Sequence, residues 1–169
     1  MNGKLRYLRF LAYALELIIL YVLSGIPNFM LSLFGSKPVL LIAAALTIAV
    51  FEDELPSMIM GLSCGVLIDV GTDAKIGYYT LILTVLCFVL GYCQRNFFVT
   101  NFLNATVIGV CSLLGVFLLH FLIFGVFMRA PDLGQVFLKQ YLIRFIYTAL
   151  FLPILYWLNR LFYSLKKGY

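Results

Sequence analysis

The amino-acid sequence predicts an all-α membrane protein in which about six transmembrane helices form one bundle. Of its 169 residues, 64% are apolar and 11% are charged, and the mean hydropathy is +1.07. Soluble chains are about half apolar and about a quarter charged. Apolar runs of nearly membrane-spanning length recur between short polar breaks, and basic residues gather at both ends of the chain. A soluble enzyme is therefore excluded as the class, and the lipid bilayer is the expected surroundings.

The first half of the chain contains three predicted spans. Residues 7–25 form an apolar run that follows a basic start and ends at a Gly-Ile-Pro-Asn break. Residues 37–51 and 56–70 form two shorter runs, and the acidic turn 52–54 separates them. A span normally needs about 20 residues, so the second and third helices are expected to be short.

The second half contains three more spans. Residues 77–92 begin after a polar loop that starts at Asp69. The last two apolar runs, 102–127 and 136–162, are separated by a polar loop that contains Pro131. Because every loop is short, we expect residues 1–169 to form a single polytopic domain whose function resides in helix surfaces and short loops.

An even number of spans places both termini on one side of the membrane, and the positive-inside rule predicts that this side is the cytoplasm. The predicted cytoplasmic segments carry seven basic residues, against four on the other side. The seven are Lys4, Arg6, Arg9, Arg95, Arg160, Lys166 and Lys167, and the four are Lys37, Lys75, Arg129 and Lys139. The net charge of +5 is explained by this flanking pattern, so no nucleic-acid partner is expected.

The third span carries the most regular pattern. Ser57, Gly61, Gly65 and Asp69 recur every four residues and therefore share one helix face. Two glycines four residues apart allow a neighbouring backbone to approach closely. This face is predicted to be a helix-packing face inside the chain or, as the alternative, a face that contacts a partner protein.

Polar residues inside the spans are expected to have partners, because an isolated charge in a membrane is costly. Glu16 lies about two turns into the first span, and Asn159 and Arg160 lie at a similar depth in the last. We expect a structural tie between these two helices.

On the opposite side, Asp69 is expected to cap the turn that follows it. The alternative is a contact of Asp69 or Asp73 with Arg144, whose side chain otherwise reaches the membrane interface.

The sequence contains no recognisable catalytic, nucleotide-binding or metal-binding motif. His120 stands alone among aromatic residues and is interpreted as a hydrogen-bonded core residue. The four cysteines lie in or beside apolar runs and are expected to be free and structural. We therefore expect a protein that is not an enzyme and that carries no cofactor and no metal.

The middle of the chain resembles the MreD family of bacterial rod shape-determining proteins. The resemblance rests on the acidic-Pro turn 52–56, on the Gly-Leu-Ser-Cys-Gly-Val-Leu-Ile-Asp stretch 61–69, and on Gly77, which opens a long apolar helix ending at Gly91-Tyr92. It covers about 45 residues, and elsewhere the similarity is one of length and composition.

The resemblance implies a non-enzymatic scaffold of the cell-elongation machinery in the bacterial cytoplasmic membrane. Such a scaffold binds MreC and acts indirectly with MreB and the membrane peptidoglycan synthases. The acidic turn Glu52, Asp53 and Glu54 is then a candidate cytoplasmic contact for a basic partner, and the third helix is the favoured partner surface.

The same resemblance supplies an alternative function. The family is thought to share a six-helix fold with the substrate-binding S components of energy-coupling-factor vitamin transporters. The first helix here lacks the small-xxx-small pair of such components, since Ala12 and Ala14 are two residues apart, but Ala45 and Ala49 form such a pair in the second helix.

Overall fold

The computed structural model describes residues 3–26, 39–71, 77–96, 102–123 and 141–164. Within these ranges the chain forms six helices and no strand. The helices are α1 (Gly3–Gly25), α2 (Leu40–Phe51), α3 (Glu54–Gly71), α4 (Tyr78–Asn96), α5 (Phe102–His120) and α6 (Ile143–Ser164). α1, α3, α5 and α6 are long and apolar enough to cross a membrane. The prediction of an all-α chain is therefore confirmed, and four of the six predicted spans have the length and composition of a membrane-spanning helix, whereas the apolar parts of α2 and α4 are shorter.

α2 is the central helix. Its 12 residues are all buried, and it packs against each of the other five helices. The sequence explains this position, because Thr47 is its single polar residue and a helix that is apolar all round must be covered on every side. Thr47 satisfies its own hydroxyl within the helix, by donating to the carbonyls of Ala43 and Ala44 at 2.9 Å. With a rise of about 1.5 Å per residue, α2 is about 18 Å long, well short of the roughly 30 Å hydrocarbon core.

Contacts between helix ends show which of them lie together. Arg9, near the start of α1, pairs with Glu52 in the turn between α2 and α3. The ring of Tyr13 packs edge to face against the ring of Phe162, near the end of α6, with ring centroids 6.0 Å apart. The start of α1 and the end of α6 are thus on one side of the molecule, here called the Arg9 side.

The opposite side, here called the Asp69 side, contains the end of α3 and the start of α4, which Asp69 joins. It also contains the starts of α2 and α6, since the backbone N–H of Val39 donates to Thr148 Oγ1 at 3.2 Å. Successive helices therefore alternate in direction. The cytoplasmic location of the Arg9 side stays a prediction.

Helix boundaries differ most from the predicted spans in the second half of the chain. α5 ends at His120 and continues as a wider turn to Ile123, and a similar wider turn at 141–142 precedes α6. The predicted end of the fifth span, at residue 127, and the predicted start of the sixth span, at residue 136, lie outside the described residues. α2 begins at Leu40, three residues after the predicted start of the second span.

Candidate functional site

The predicted small-residue face of α3 lies against α4. A Cβ atom added to Gly61 would lie 2.6 Å from the carbonyl oxygen of Leu83, and one added to Gly65 would lie 2.7 Å from the backbone nitrogen of Thr80. Both neighbours are backbone atoms, which cannot move aside as a flexible side chain does. The two helices therefore approach as closely as they do because no side chain stands at these two positions.

The same contact continues at the Arg9 side. A Cβ on Gly91 of α4 would lie 2.9 Å from the Cα of Glu54 and 3.0 Å from Ser57 Oγ. Ser57 is fully buried, and its hydroxyl donates to the carbonyl of Glu52 at 3.1 Å. Of the two interpretations of this face, the structure shows the intramolecular one. The expectation that α3 offers the favoured partner surface through these residues is corrected, because α4 occupies the face.

Asp69 joins the end of α3 to the start of α4. Its carboxylate accepts hydrogen bonds from the backbone N–H groups of Gly77, Tyr79 and Thr80 at 3.0 to 3.1 Å, and from the Thr80 hydroxyl at 2.6 Å. The N–H groups of Tyr79 and Thr80 belong to the first turn of α4, where they have no partner inside the helix and where negative charge is favourable, and Gly77 directly precedes that turn. Gly77 has a φ of +99°, a conformation that suits glycine. Asp69 therefore acts as a cap for α4.

The acidic turn is divided between buried and exposed residues. Glu52 is buried and forms a two-atom contact with Arg9, in which Nη2 donates to Oε2 at 2.8 Å and Nε lies 2.8 Å from Oε1. The hydroxyl of Tyr13 also donates to Oε1, at 3.1 Å. Asp53 is exposed and Glu54 is half-buried. The predicted contact of this turn with a basic partner is therefore corrected for Glu52, whose cation is Arg9 of the same chain.

The predicted tie between the first and last helices involves Asn159. Its side-chain amide donates to Glu16 Oε1 at 3.2 Å and to Thr47 Oγ1 at 3.1 Å, so that α1, α2 and α6 meet at one polar cluster. Glu16, Thr47 and Asn159 are all buried. Arg160 is exposed and lies outside this cluster. Glu16 Oε2 and Asn159 Oδ1 are buried and have no hydrogen-bond partner within the described part of the chain.

Arg144 lies near an aromatic group on the Asp69 side. It is half-buried on α6 and close enough to His120 and Tyr79 to interact with them electrostatically. His120 Nδ1 is 2.7 Å from the Tyr141 hydroxyl, and its ring stacks on Tyr79 with centroids 5.5 Å apart. The hydrogen bond of His120 agrees with its interpretation, but the residue is half-buried at the end of α5 and does not belong to the buried core. Asp73, the alternative partner of Arg144, lies outside the described residues.

A groove runs along the outer surface between α1 and α6. Its volume is about 610 Å³, and its walls are apolar except for Glu16. Eight lining residues belong to α1 and follow its helical repeat, and three belong to α6. They are Leu8, Leu11, Ala12, Leu15, Glu16, Ile19, Leu20 and Leu23 from α1, with Leu155, Leu158 and Phe162 from α6. The groove therefore follows α1 over most of its length.

Sequence reasoning missed several partners that the structure brings together. Arg9 counts in the sequence only as one of the basic residues that flank the first span, yet Arg9 and Tyr13 both bind Glu52. No short-range signal indicates this contact, because 43 residues separate Arg9 from Glu52. Thr80, which donates to Asp69, carries a weak sequence signal of a helix start, since Ser and Thr are frequent there.

Metal ligands and cysteines complete the list of candidate chemical groups. Within the described ranges, no three His, Cys, Asp or Glu side chains are grouped so that they hold a metal ion. The four cysteines are free, as predicted, and Cys64 and Cys87 lie buried where α3 meets α4.

Comparison with known proteins gives no relative. No protein-family model, curated protein or solved structure matches this chain.

Proposed function

We propose that this protein is a non-catalytic membrane scaffold of the bacterial cell-elongation machinery, similar to MreD. In this role it lies in the cytoplasmic membrane with both termini in the cytoplasm. It binds MreC directly and supports lateral-wall peptidoglycan synthesis with MreB and the membrane synthases. No cofactor takes part.

One observation carries this proposal. Most of the residues on which the MreD resemblance rests lie in two helices packed against each other, α3 and α4. Gly61, Gly65 and Gly91 allow the two backbones to touch, and Asp69 caps α4 beside Gly77. A motif whose glycines and aspartate serve one local structure supports the family assignment better than a chance similarity of apolar letters.

The surface of the molecule supports a binding role within the membrane. Large apolar side chains are exposed along α1 and α6, for example Leu11 at 65% and Trp157 at 64%. The loops that the sequence allows are short, so such helix surfaces are the main area through which a partner can be bound. MreC binding through a transmembrane segment agrees with this arrangement.

The alternative, an S component of a vitamin transporter, receives less support. Ala45 and Ala49, the small-xxx-small pair left by the sequence, are fully buried in the central helix. They cannot contact a transporter subunit without unfolding of the domain. This observation favours the scaffold over the transporter component.

The proposal is tested by depletion of the protein in its native rod-shaped cell, combined with purification of the tagged full-length chain in mild detergent. We expect depleted cells to become spherical and MreC to copurify with the chain. A Gly65→Leu variant, which cannot form the α3–α4 contact, should fail to restore rod shape, whereas Gly115→Leu is the control, because a Cβ at Gly115 meets no atom within 4 Å. Cells that stay rod-shaped but lose uptake of one vitamin would establish the transporter component instead.

A further inference from the structure

The buried polar cluster between α1, α2 and α6 contains more hydrogen-bond acceptors than donors. Three acceptors lie 3.0 to 3.2 Å from the side-chain nitrogen of Asn159, which has only two hydrogens. They are Glu16 Oε1, Thr47 Oγ1 and the carbonyl oxygen of Leu155. The Thr47 hydroxyl uses its single hydrogen inside α2. Glu16 Oε2 and Asn159 Oδ1 are also buried, and no group in the described part of the chain donates to either. The cluster therefore lacks a donor.

The orientation of the Asn159 amide follows from a contact within α6. The carbonyl oxygen of Leu155 can only accept, so the atom of Asn159 that lies 3.0 Å from it must be the nitrogen. A flipped amide would bring two acceptor oxygens together at this point. Asn159 Oδ1 is therefore the acceptor that lacks a donor, and it belongs to a side chain that already binds Glu16 through its nitrogen.

No cation among the described residues pairs with Glu16. Arg9 precedes it by about two turns of α1 and is bound to Glu52 instead. Arg160, which follows Asn159 on α6, is exposed. A carboxylate at position 16 would therefore be buried without a positive charge beside it.

The other titratable groups around Glu16 cannot supply this charge. Tyr13 of α1 and Cys64 of α3 are close enough to interact with Glu16 electrostatically. Both side chains are neutral or negative and never positive. α2 has no titratable residue, and α6 contributes Asn159, which does not titrate.

The depth of Glu16 makes an unpaired charge costly. It is the tenth of the 19 residues in the candidate span Tyr7–Gly25, and it is only 6% exposed. A carboxyl group buried near the middle of a membrane without a cation tends to take up a proton, because the neutral form avoids the cost of a buried charge.

One proton on Glu16 removes the charge and supplies the missing donor. A carboxylic acid has one O–H group, so Oε2 becomes a donor, and Asn159 Oδ1 is a buried acceptor without one. The carboxyl and amide groups are both planar and are already joined by one hydrogen bond, so a second bond between their remaining oxygens closes a ring. The terminal torsions of Glu and Asn are soft, and small rotations can align the two groups.

We propose that Glu16 is a proton-binding site, at which a neutral carboxylic acid donates from Oε2 to Asn159 Oδ1 while its Oε1 accepts from Asn159 Nδ2. When the proton passes to water, two acceptor oxygens face each other with no donor between them, and α1 loosens from α2 and α6. The cluster is thus a junction that is closed while the proton is bound and that opens as the pH rises. It does not depend on which partner the protein binds.

Infrared spectroscopy of the full-length protein in mild detergent tests the proton directly. The C=O stretching band of a protonated carboxyl group is distinct from the bands of a carboxylate. We expect wild type to show this band at neutral pH, and Glu16→Gln to lack it. Asp53→Asn is the control and should keep the band, because Asp53 is exposed. Asn159→Leu should keep the band but move it to higher wavenumber, because the carbonyl of Glu16 then loses its hydrogen bond.

The pH dependence of SDS-induced unfolding tests the junction. An exposed Glu loses its proton at about pH 4.3, whereas the folded chain keeps it. The folded chain then binds one more proton than the unfolded chain, so its stability falls as the pH rises. Glu16→Gln is neutral at every pH and can donate an N–H to Asn159 Oδ1. Relative to this variant, the folding equilibrium constant of wild type should fall by up to tenfold per pH unit above about pH 5, until the infrared band disappears.

Each result supports or overturns the proton site. No band that Glu16→Gln removes would mean that Glu16 is ionised. A band that Asn159→Leu leaves in place would mean that the acid is not bonded to Asn159. A constant ratio of wild type to Glu16→Gln across this pH range would exclude the junction. If Glu16→Gln does not fold, carboxyl-labelled ¹³C-glutamate in wild type shows whether the band belongs to a glutamate. All of these failures would leave the proposed scaffold function standing.

Discussion

The α3–α4 hairpin and the α1–α6 pair differ in how their helices are held together. In the hairpin, backbones touch at Gly61 and Gly65, and Asp69 accepts four hydrogen bonds. α1 and α6 meet through the hydrogen bond from Asn159 to Glu16 and through aromatic contact, with an open groove beside them. Inside a membrane the lipid chains are as apolar as the helix side chains, so the hydrophobic effect does not bring helices together. Close packing and polar bonds must therefore hold them together. The hairpin is therefore the more closely joined of the two regions.

The largest effect is expected where the two regions are joined, at the buried pair of Arg9 and Glu52. Glu52→Gln leaves the Arg9 charge buried without its carboxylate, and we expect it to lower the free energy of unfolding by about 3 to 5 kcal/mol. The measurement is SDS-induced unfolding in mixed micelles. Asp53→Asn is the matched control, because Asp53 is the exposed neighbour. Equal, small effects of the two variants would show that the pair contributes little.

The next effect concerns the hairpin itself. Gly65→Ala places a methyl group 2.8 Å from the carbonyl oxygen of Tyr79, so the helices must separate. We expect a loss of about 2 to 3 kcal/mol, the upper part of the range for overpacked positions. Gly115→Ala, which meets no atom within 4 Å, should be neutral or stabilising by about 1 kcal/mol, because alanine is the better helix former. SDS-induced unfolding in mixed micelles measures both variants. If Gly65→Ala left the free energy of unfolding unchanged, the close contact between α3 and α4 would be contradicted.

A smaller effect is expected at the cap. Asp69→Asn keeps one acceptor oxygen but removes the negative charge beside the first turn of α4. Loss of a helix cap costs about 0.5 to 2 kcal/mol, and we expect a value in this range. Amide hydrogen exchange should increase at Tyr79 and Thr80 and remain unchanged in α6. Unchanged protection at the start of α4 would mean that the cap does not hold this helix end.

The two regions also differ in how well the sequence predicts them. The hairpin can be predicted because its sequence signals are local. Glycines four residues apart define one helix face, and Asp69 is 11 residues or fewer from every group that it caps. Whether α4 or a partner covers that face is not a local property, and the sequence left both alternatives open. The polar contacts of α1 with Glu52 and Asn159 span 43 and 143 residues.

Long-range contacts of this kind depend on how each helix is rotated about its axis. Asn159 and Arg160 are adjacent and were equally good candidates to meet Glu16. Packing of α6 against α2 turns Asn159 inward and leaves Arg160 exposed. A turn of about 100° between consecutive helical residues decides which of the two is the partner, and the sequence alone does not fix that rotation. The groove is equally a product of how α1 and α6 are placed.

The smallest effect on stability is expected in the α1–α6 pair, and it bears most directly on the comparison. Removing Asn159 alone leaves Glu16 without its donor, so Asn159→Leu should be destabilising. Replacing both groups, in the variant Glu16→Leu with Asn159→Leu, removes donor and acceptor together, which is often nearly neutral. Hydrogen bonds between membrane helices also average only about 0.6 kcal/mol. We therefore expect the double variant to unfold within about 1 kcal/mol of wild type, and SDS-induced unfolding in mixed micelles measures the difference. A loss of stability as large as that of Gly65→Ala would mean that the polar cluster holds α1 and α6 together as firmly as backbone contact holds the hairpin, and the two regions would then not differ in this respect.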